Sequence, residues 1–204
     1  MEVQAHGNSY ESDVIKERTG LTKDEYDALK GGGYTDEFDL VSGLIVDYNG
    51  SVKSTGSNTV DCADIQKKME HKEYNLIVGQ YDQVDDNKVF HTEYEFFITP
   101  ADYDVLWGSM REDDIDAFVG YIKSIPSGKE AQKSTTAARK MFKEEIQDKN
   151  ALYTINAKVD SKNQRRVQCS LKIKELIASG IKYKKRDINY TYHSPKRKFK
   201  SKAS

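Results

Sequence analysis

Cysteine is scarce. Cys62 and Cys169 are the only two in 204 residues, and they lie far apart and outside any Cys-x-x-Cys pattern. That excludes a disulfide framework and a cysteine-built zinc site. The four histidines, His6, His71, His91 and His193, are scattered, with no H-E-x-x-H spacing, so no histidine metal site is expected. The longest aliphatic runs, such as Leu44-Ile45-Val46 and Leu76-Ile77-Val78, are far too short to cross a bilayer. The N-terminus has no basic start followed by an apolar run and a cleavage site, so a soluble, cytoplasmic protein with no membrane partner is expected. No G-x-S-x-G elbow surrounds a serine, the Gly31-Gly32-Gly33 loop fits no nucleotide fingerprint, and no internal repeat is present.

Charge, in contrast, is abundant and unevenly placed. Charged residues make up 32% of the chain and the net charge is −1. Residues 156–204 hold 15 Lys/Arg against 3 Asp/Glu, whereas residues 1–155 hold 17 against 30. A basic end on an acidic body points to a polyanionic partner such as nucleic acid. The length fits a single domain over residues 1–180, followed by a basic extension over 181–204 whose end is expected to be disordered.

Hydrophobic periodicity predicts an amphipathic helix over 9–18, capped by Ser9 and stopped by Gly20, with Tyr10, Val14 and Ile15 on one face and Glu11 beside that apolar edge. A short helix from Lys23 to Lys30 follows. Strands near 37–46 and 50–54 form a hairpin, with Asn49-Gly50 as its turn. Next come a helix over about 61–70, a buried central strand at 74–81 and a strand at 88–98. Helices at 101–109, 112–123 and 129–149 precede strands near 151–158 and 165–172. The class is α/β (α+β), a central mixed sheet flanked by helices.

The hairpin carries the chemistry. Asp39 opens its first strand and Lys53 closes Ser51-Val52-Lys53 on its second. Metal-assisted phosphodiester hydrolysis needs carboxylates that hold Mg²⁺ near the scissile phosphate and a lysine that stabilises developing charge or helps activate water. Mg²⁺ keeps several waters, so two protein ligands suffice. An ordinary hairpin with surface charges is the other reading of these residues alone.

The arrangement resembles the PD-(D/E)xK nucleases, the superfamily that contains most type II restriction endonucleases, over about residues 9–82. The resemblance implies a restriction-endonuclease-like core with the catalytic part over about 9–100. It places the leading acid at Asp39, the catalytic lysine at Lys53 and a helix-borne second metal ligand at Glu11. Two positions depart from the pattern: Phe38 stands where the family has proline, and Ser51 occupies the catalytic motif's second acidic position. Asp36 and Asp47 are the nearby acids that can compensate.

Ser51–Val60 also resembles the metal-lysine strand and following loop of such enzymes, which puts Ser57 and Asn58 near DNA. The run Lys158–Ser170 is similar to a segment close to the C-termini of several of them. Within it, Arg165 and Arg166 can grip phosphates or fork onto guanine, and Asn163, Gln164 and Gln168 offer amides to base edges. Lys162, with Lys158, Lys172 and Lys174, adds phosphate neutralisation. The expectation is a Mg²⁺-dependent, sequence-specific endonuclease acting on double-stranded DNA, with residues 156–174 as its DNA-contact region. The resemblance further implies a homodimer. Two alternatives stand beside it: a non-catalytic nucleic-acid-binding protein on a degenerate nuclease fold, favoured by Ser51, and a protein-interaction module.

Overall fold

A computed structural model describes residues 5–31, 38–126, 131–159 and 165–195. It is an α+β structure with a mixed four-stranded sheet and an antiparallel three-stranded sheet, flanked by helices. The described chain groups into two compact units. The first takes its residues from 1–57, 77–95 and 184–204, and the second from 58–76 and 96–183.

The first unit contains α1 (Ala5–Thr19), α2 (Lys23–Lys30), β1 (Gly50–Thr55), most of β3 (Tyr74–Val84) and β4 (Asn87–Ile98), and nearly all of β7 (Tyr183–His193). The strand order is β1-β3-β4-β7, so β3 is interior, as its apolar run predicts. Tyr10, Val14 and Ile15 of α1 pack with Tyr26, Leu40, Val52, Ile77 and Phe90 in one buried cluster. The 3.6-residue spacing on α1 and the burial of Ile77 in mid-strand are what let a single helix cover this sheet.

Contact between α1 and the sheet is close because β3 has no side chain at Gly79. A Cβ built there would lie 2.5 Å from the Tyr10 ring. Tyr10 stacks on Phe90 at 4.7 Å and donates its hydroxyl to the buried Glu93 at 2.7 Å, so it cannot swing aside without losing both contacts. Gly79→Ala is therefore expected to cost about 1–3 kcal/mol by overpacking. A urea melt checks this; an unchanged midpoint would show that the ring moves freely.

The second unit contains β2 (Thr59–Asp64), α3 (Ile65–Glu70), a 3₁₀ turn (Pro100–Asp102), α4 (Tyr103–Trp107), α5 (Glu112–Ser124), α6 (Ala131–Glu145), β5 (Thr154–Val159), β6 (Arg165–Lys172) and α7 (Ile173–Ala178). Its sheet order is β2-β6-β5, with β6 antiparallel to both neighbours. Cys62 and Cys169 are buried here and not joined in a disulfide, and the Tyr74 and Tyr153 hydroxyls share a buried hydrogen bond of 2.6 Å.

Several boundaries differ from the sequence reading. Ser9 lies inside α1, which begins at Ala5. Residues 59–64 are strand before the helix starts, because Val60 and Cys62 are buried at a period of two and Asp64 then caps α3. The expected strand over 37–46 reduces to isolated bridges, Leu40 to Gly50 and Ser42 to Val46. Its turn falls at Gly43, which adopts φ +86° and donates to Val46 O, while Asn49 instead accepts from Ser42 N through its side chain. Residues 183–193, placed in the basic extension, form edge strand β7.

Candidate active site

Asp39 sits in the short segment before β1 and is fixed from three directions. Leu40 and Gly50 exchange backbone hydrogen bonds of 3.0 and 2.8 Å. Lys30, at the end of α2, donates to Phe38 O at 3.2 Å. Buried Tyr26, also on α2, accepts from Val41 N at 2.9 Å. Helix α2 has the local signals to hold this position. Thr22 and Glu25 form a capping box at its start, and Gly31 ends it in the left-handed conformation.

The Asp39 carboxylate is aimed at β1. Its Oδ2 accepts from Val52 N at 2.6 Å and from Lys53 Nζ at 3.3 Å, while Lys53 Nζ also donates to Val52 O at 2.9 Å. One carboxylate thus pins the lysine and its strand together, and Oδ1 has no hydrogen-bond partner among the described residues. Both side chains are about three-quarters buried, which weakens solvent screening between them.

Glu11 comes to the same place from α1. Burial first, and the neighbouring Asp39 charge second, raise its pKa above the ordinary glutamate value, against the opposing pull of Lys23 and Lys53. Lys23, at the first turn of α2, donates to Glu11 Oε1 at 2.7 Å and lies 3.1 Å from Asp27. Asp39 and Lys53 are thus in direct contact, and the charges of both act on Glu11 of α1, whose own hydrogen bond is to Lys23.

The raised Glu11 pKa has a definite sign for stability. The folded state holds this proton more tightly than the unfolded chain, so the associated stability is present below the unfolded glutamate pKa. It is lost as pH rises through the folded value. Glu11→Gln, which can keep the bond from Lys23, is expected to flatten that part of the stability–pH curve. Thermal melts of both proteins between pH 4 and 8 check this, and parallel curves would contradict it.

Ser51 stands on β1 two residues before Lys53, but its side chain is 1% exposed and its Oγ has no hydrogen-bond partner among the described residues. It supplies no carboxylate to the site. Asp47 is exposed on the turn, and Asp36 lies outside the described residues. Among the described residues no group of three or more His, Cys, Asp or Glu side chains is placed to hold a metal ion.

The expected DNA contacts fare variously. Lys162, Asn163 and Gln164 lie outside the described residues. Arg165 and Arg166 begin β6, opposite Val159 and Lys158 of β5. Gln168 is 9% exposed on the middle strand of its sheet, a depth that leaves a base-reading role without support. Asn58 is engaged locally, its Oδ1 accepting from Lys174 N and its carbonyl from Ile173 N at the start of α7. Ser57 is exposed, in a turn closed by Thr55 Oγ1. Lys23, Tyr26 and Lys30 were not legible as site residues. They reach partners 8–15 positions away, and no local periodicity marks that contact.

No family model, characterised protein or solved structure matches this chain.

Proposed function

We propose that this chain is a Mg²⁺-dependent endonuclease acting on double-stranded DNA, of the type II restriction class, working as a homodimer. The observation that carries the reading is the Asp39–Lys53 pair, formed between the segment before β1 and β1 itself, with the charges of both acting on Glu11 of α1. Burial and the Asp39 charge raise the cost of ionising Glu11, and a divalent cation would offset that cost.

The donor set fits Mg²⁺ in kind. Asp39 and Glu11 offer hard carboxylate oxygens, and two protein ligands are enough for an ion that retains water. When bound, Mg²⁺ would lower the pKa of a water and neutralise charge on the phosphate. Lys53 carries out the chain's own part. Its ammonium, fixed on Asp39 and the Val52 carbonyl, stands ready to stabilise negative charge growing on a phosphate oxygen without reorganising. Asp39 orients both that ammonium and the β1 backbone. Ser51 contributes no ligand, so the metal set is smaller than in the family it resembles.

The direct test is incubation of plasmid and phage DNA with purified protein, with Mg²⁺ and with EDTA. Discrete fragments that need the metal support the reading. Binding without cleavage in both Mg²⁺ and Mn²⁺ favours the non-catalytic alternative that Ser51 suggests.

A further inference from the structure

The carboxylate of Glu11 already has a cation on it. Lys23 Nζ donates to Glu11 Oε1 at 2.7 Å and lies 3.1 Å from Asp27 Oδ2, one turn further along α2. The Lys23 and Glu11 side chains are 26% and 19% exposed, against 38% for Asp27. Lys23 is the first residue of α2, where the positive end of the helix dipole disfavours an ammonium. The same turn carries the acids that the dipole favours, Asp24 and Glu25. The helix itself therefore gives no reason for a lysine here. Burial would lower the Lys23 pKa, but the bonds to Glu11 and Asp27 outweigh it and keep the group charged.

Charge around the candidate site is balanced without a metal. Glu11 and Asp39 carry two negative charges, and Lys23 and Lys53 carry two positive ones. A divalent ion held by these carboxylates adds two more positive charges. Lys23 must then either leave Glu11 or repel the ion where solvent screens only in part. Asp27 offers the ammonium a place to go. It already touches Lys23, is more exposed than Glu11, and turns its other oxygen toward Lys30 at 3.8 Å.

We propose that Lys23 is the resident counter-cation of Glu11 and sets how readily a divalent metal takes that carboxylate, with Asp27 receiving the ammonium when it is displaced. The inference rests on the nuclease reading and adds a regulator of its metal site. Lys23 is a positioning residue here: it acts on Glu11 and touches no substrate.

The test uses the full chain without DNA. Mn²⁺ stands in for Mg²⁺, and its binding is read from the loss of the free-ion EPR signal. Lys23→Met is expected to bind Mn²⁺ about threefold to tenfold more tightly than the wild type, because a competing charge is gone. Asp27→Asn is expected to bind it about twofold to fivefold more weakly, because the ammonium is left with Glu11 alone. With both substitutions the affinity should equal that of Lys23→Met, since Asp27 acts through Lys23. Thermal melts check that each variant is folded. A lysine that only holds Glu11 in place gives the opposite sign, weaker binding in Lys23→Met. That result, or an unchanged affinity, overturns the inference and leaves the nuclease reading intact. An Asp27→Asn effect that persists without Lys23 also overturns it, since Asp27 would then act through Lys30. Mn²⁺ binding unchanged in Asp39→Asn lies elsewhere and has the same consequence. A wild type that binds no Mn²⁺ overturns the inference, and if it also fails to cleave DNA in Mg²⁺ the nuclease reading falls with it.

Discussion

Asp39→Asn is expected to lower Mg²⁺-dependent cleavage by about 10²–10³-fold or more while leaving the fold in place. The substitution is nearly isosteric, and an amide oxygen can still accept from Val52 N, a bond of 2.6 Å in the wild type. What it loses is the charge that attracts a cation and holds the Lys53 ammonium. Lys53→Met tests the other half of the pair. The aliphatic stem is kept, and the donor that meets growing negative charge is lost. Removing one such preorganised donor typically costs about 10²–10³ in rate. DNA affinity in EDTA separates the causes, because neither change should weaken it as much as it slows cleavage. Cleavage that survives either substitution would move the active site elsewhere, and both proteins can be checked for wild-type thermal melting.

The second large effect concerns stability. Glu93→Ala is expected to destabilise the chain by about 3–5 kcal/mol, since breaking a buried ion pair strands its partners. Glu93 is 1% exposed on β4 and takes hydrogen bonds from Tyr10 Oη at 2.7 Å, Arg186 Nε at 2.7 Å and Arg18 Nη2 at 3.1 Å. Its removal leaves a buried tyrosine hydroxyl without its acceptor and opens a void under α1. It also cuts one of the side-chain links between β7 and the rest of its unit; further ones run from Arg186 to Glu17, Tyr190 to Glu17 and Tyr192 to Asp13. Glu93→Gln keeps the volume and an acceptor, and the two arginines are partly exposed and can be rehydrated. Its cost should therefore be smaller, about 1–2 kcal/mol. Urea melts of the two variants give the comparison, and equal costs would show that charge at this position matters more than the acceptor geometry.

The same network explains why β7 was hard to see in the sequence. Lys182, Lys184, Lys185 and Arg186 dominate the composition there and read as a solvated tail. The alternation that follows is the strand signal: Arg186, Ile188, Tyr190 and Tyr192 are part-buried, while Asp187, Asn189, Thr191 and His193 are exposed. Composition was weighed over period at this point. The opposite happened at residues 59–64, where good helix formers further on extended the helix back over a short strand. Propensity summed over a window cannot resolve a six-residue strand followed directly by a six-residue helix.

Of the candidate site, the Asp39–Lys53 contact was legible because a chain reversal over residues 39–53 brings an acid and a lysine together at short range. Glu11 was legible as an acid beside the apolar face of an amphipathic helix. The Ser51 departure was visible as well, and burial of its side chain fits a position that supplies no metal ligand.

The sequence by itself determined the helix over α1 and its buried face, the capped helix α2, the interior strand β3 and the concentration of positive charge toward the C-terminus. All of these are local patterns of period, cap and charge. Only the tertiary structure decided that α2 fastens the Asp39 segment through Tyr26 and Lys30, that the Asp39 charge acts on Glu11, and that Glu93 gathers Tyr10, Arg18 and Arg186 from both ends of the chain. Such contacts depend on which segments become neighbours. Burial then sets their strength, because a carboxylate removed from water must find its donors wherever the fold has brought them.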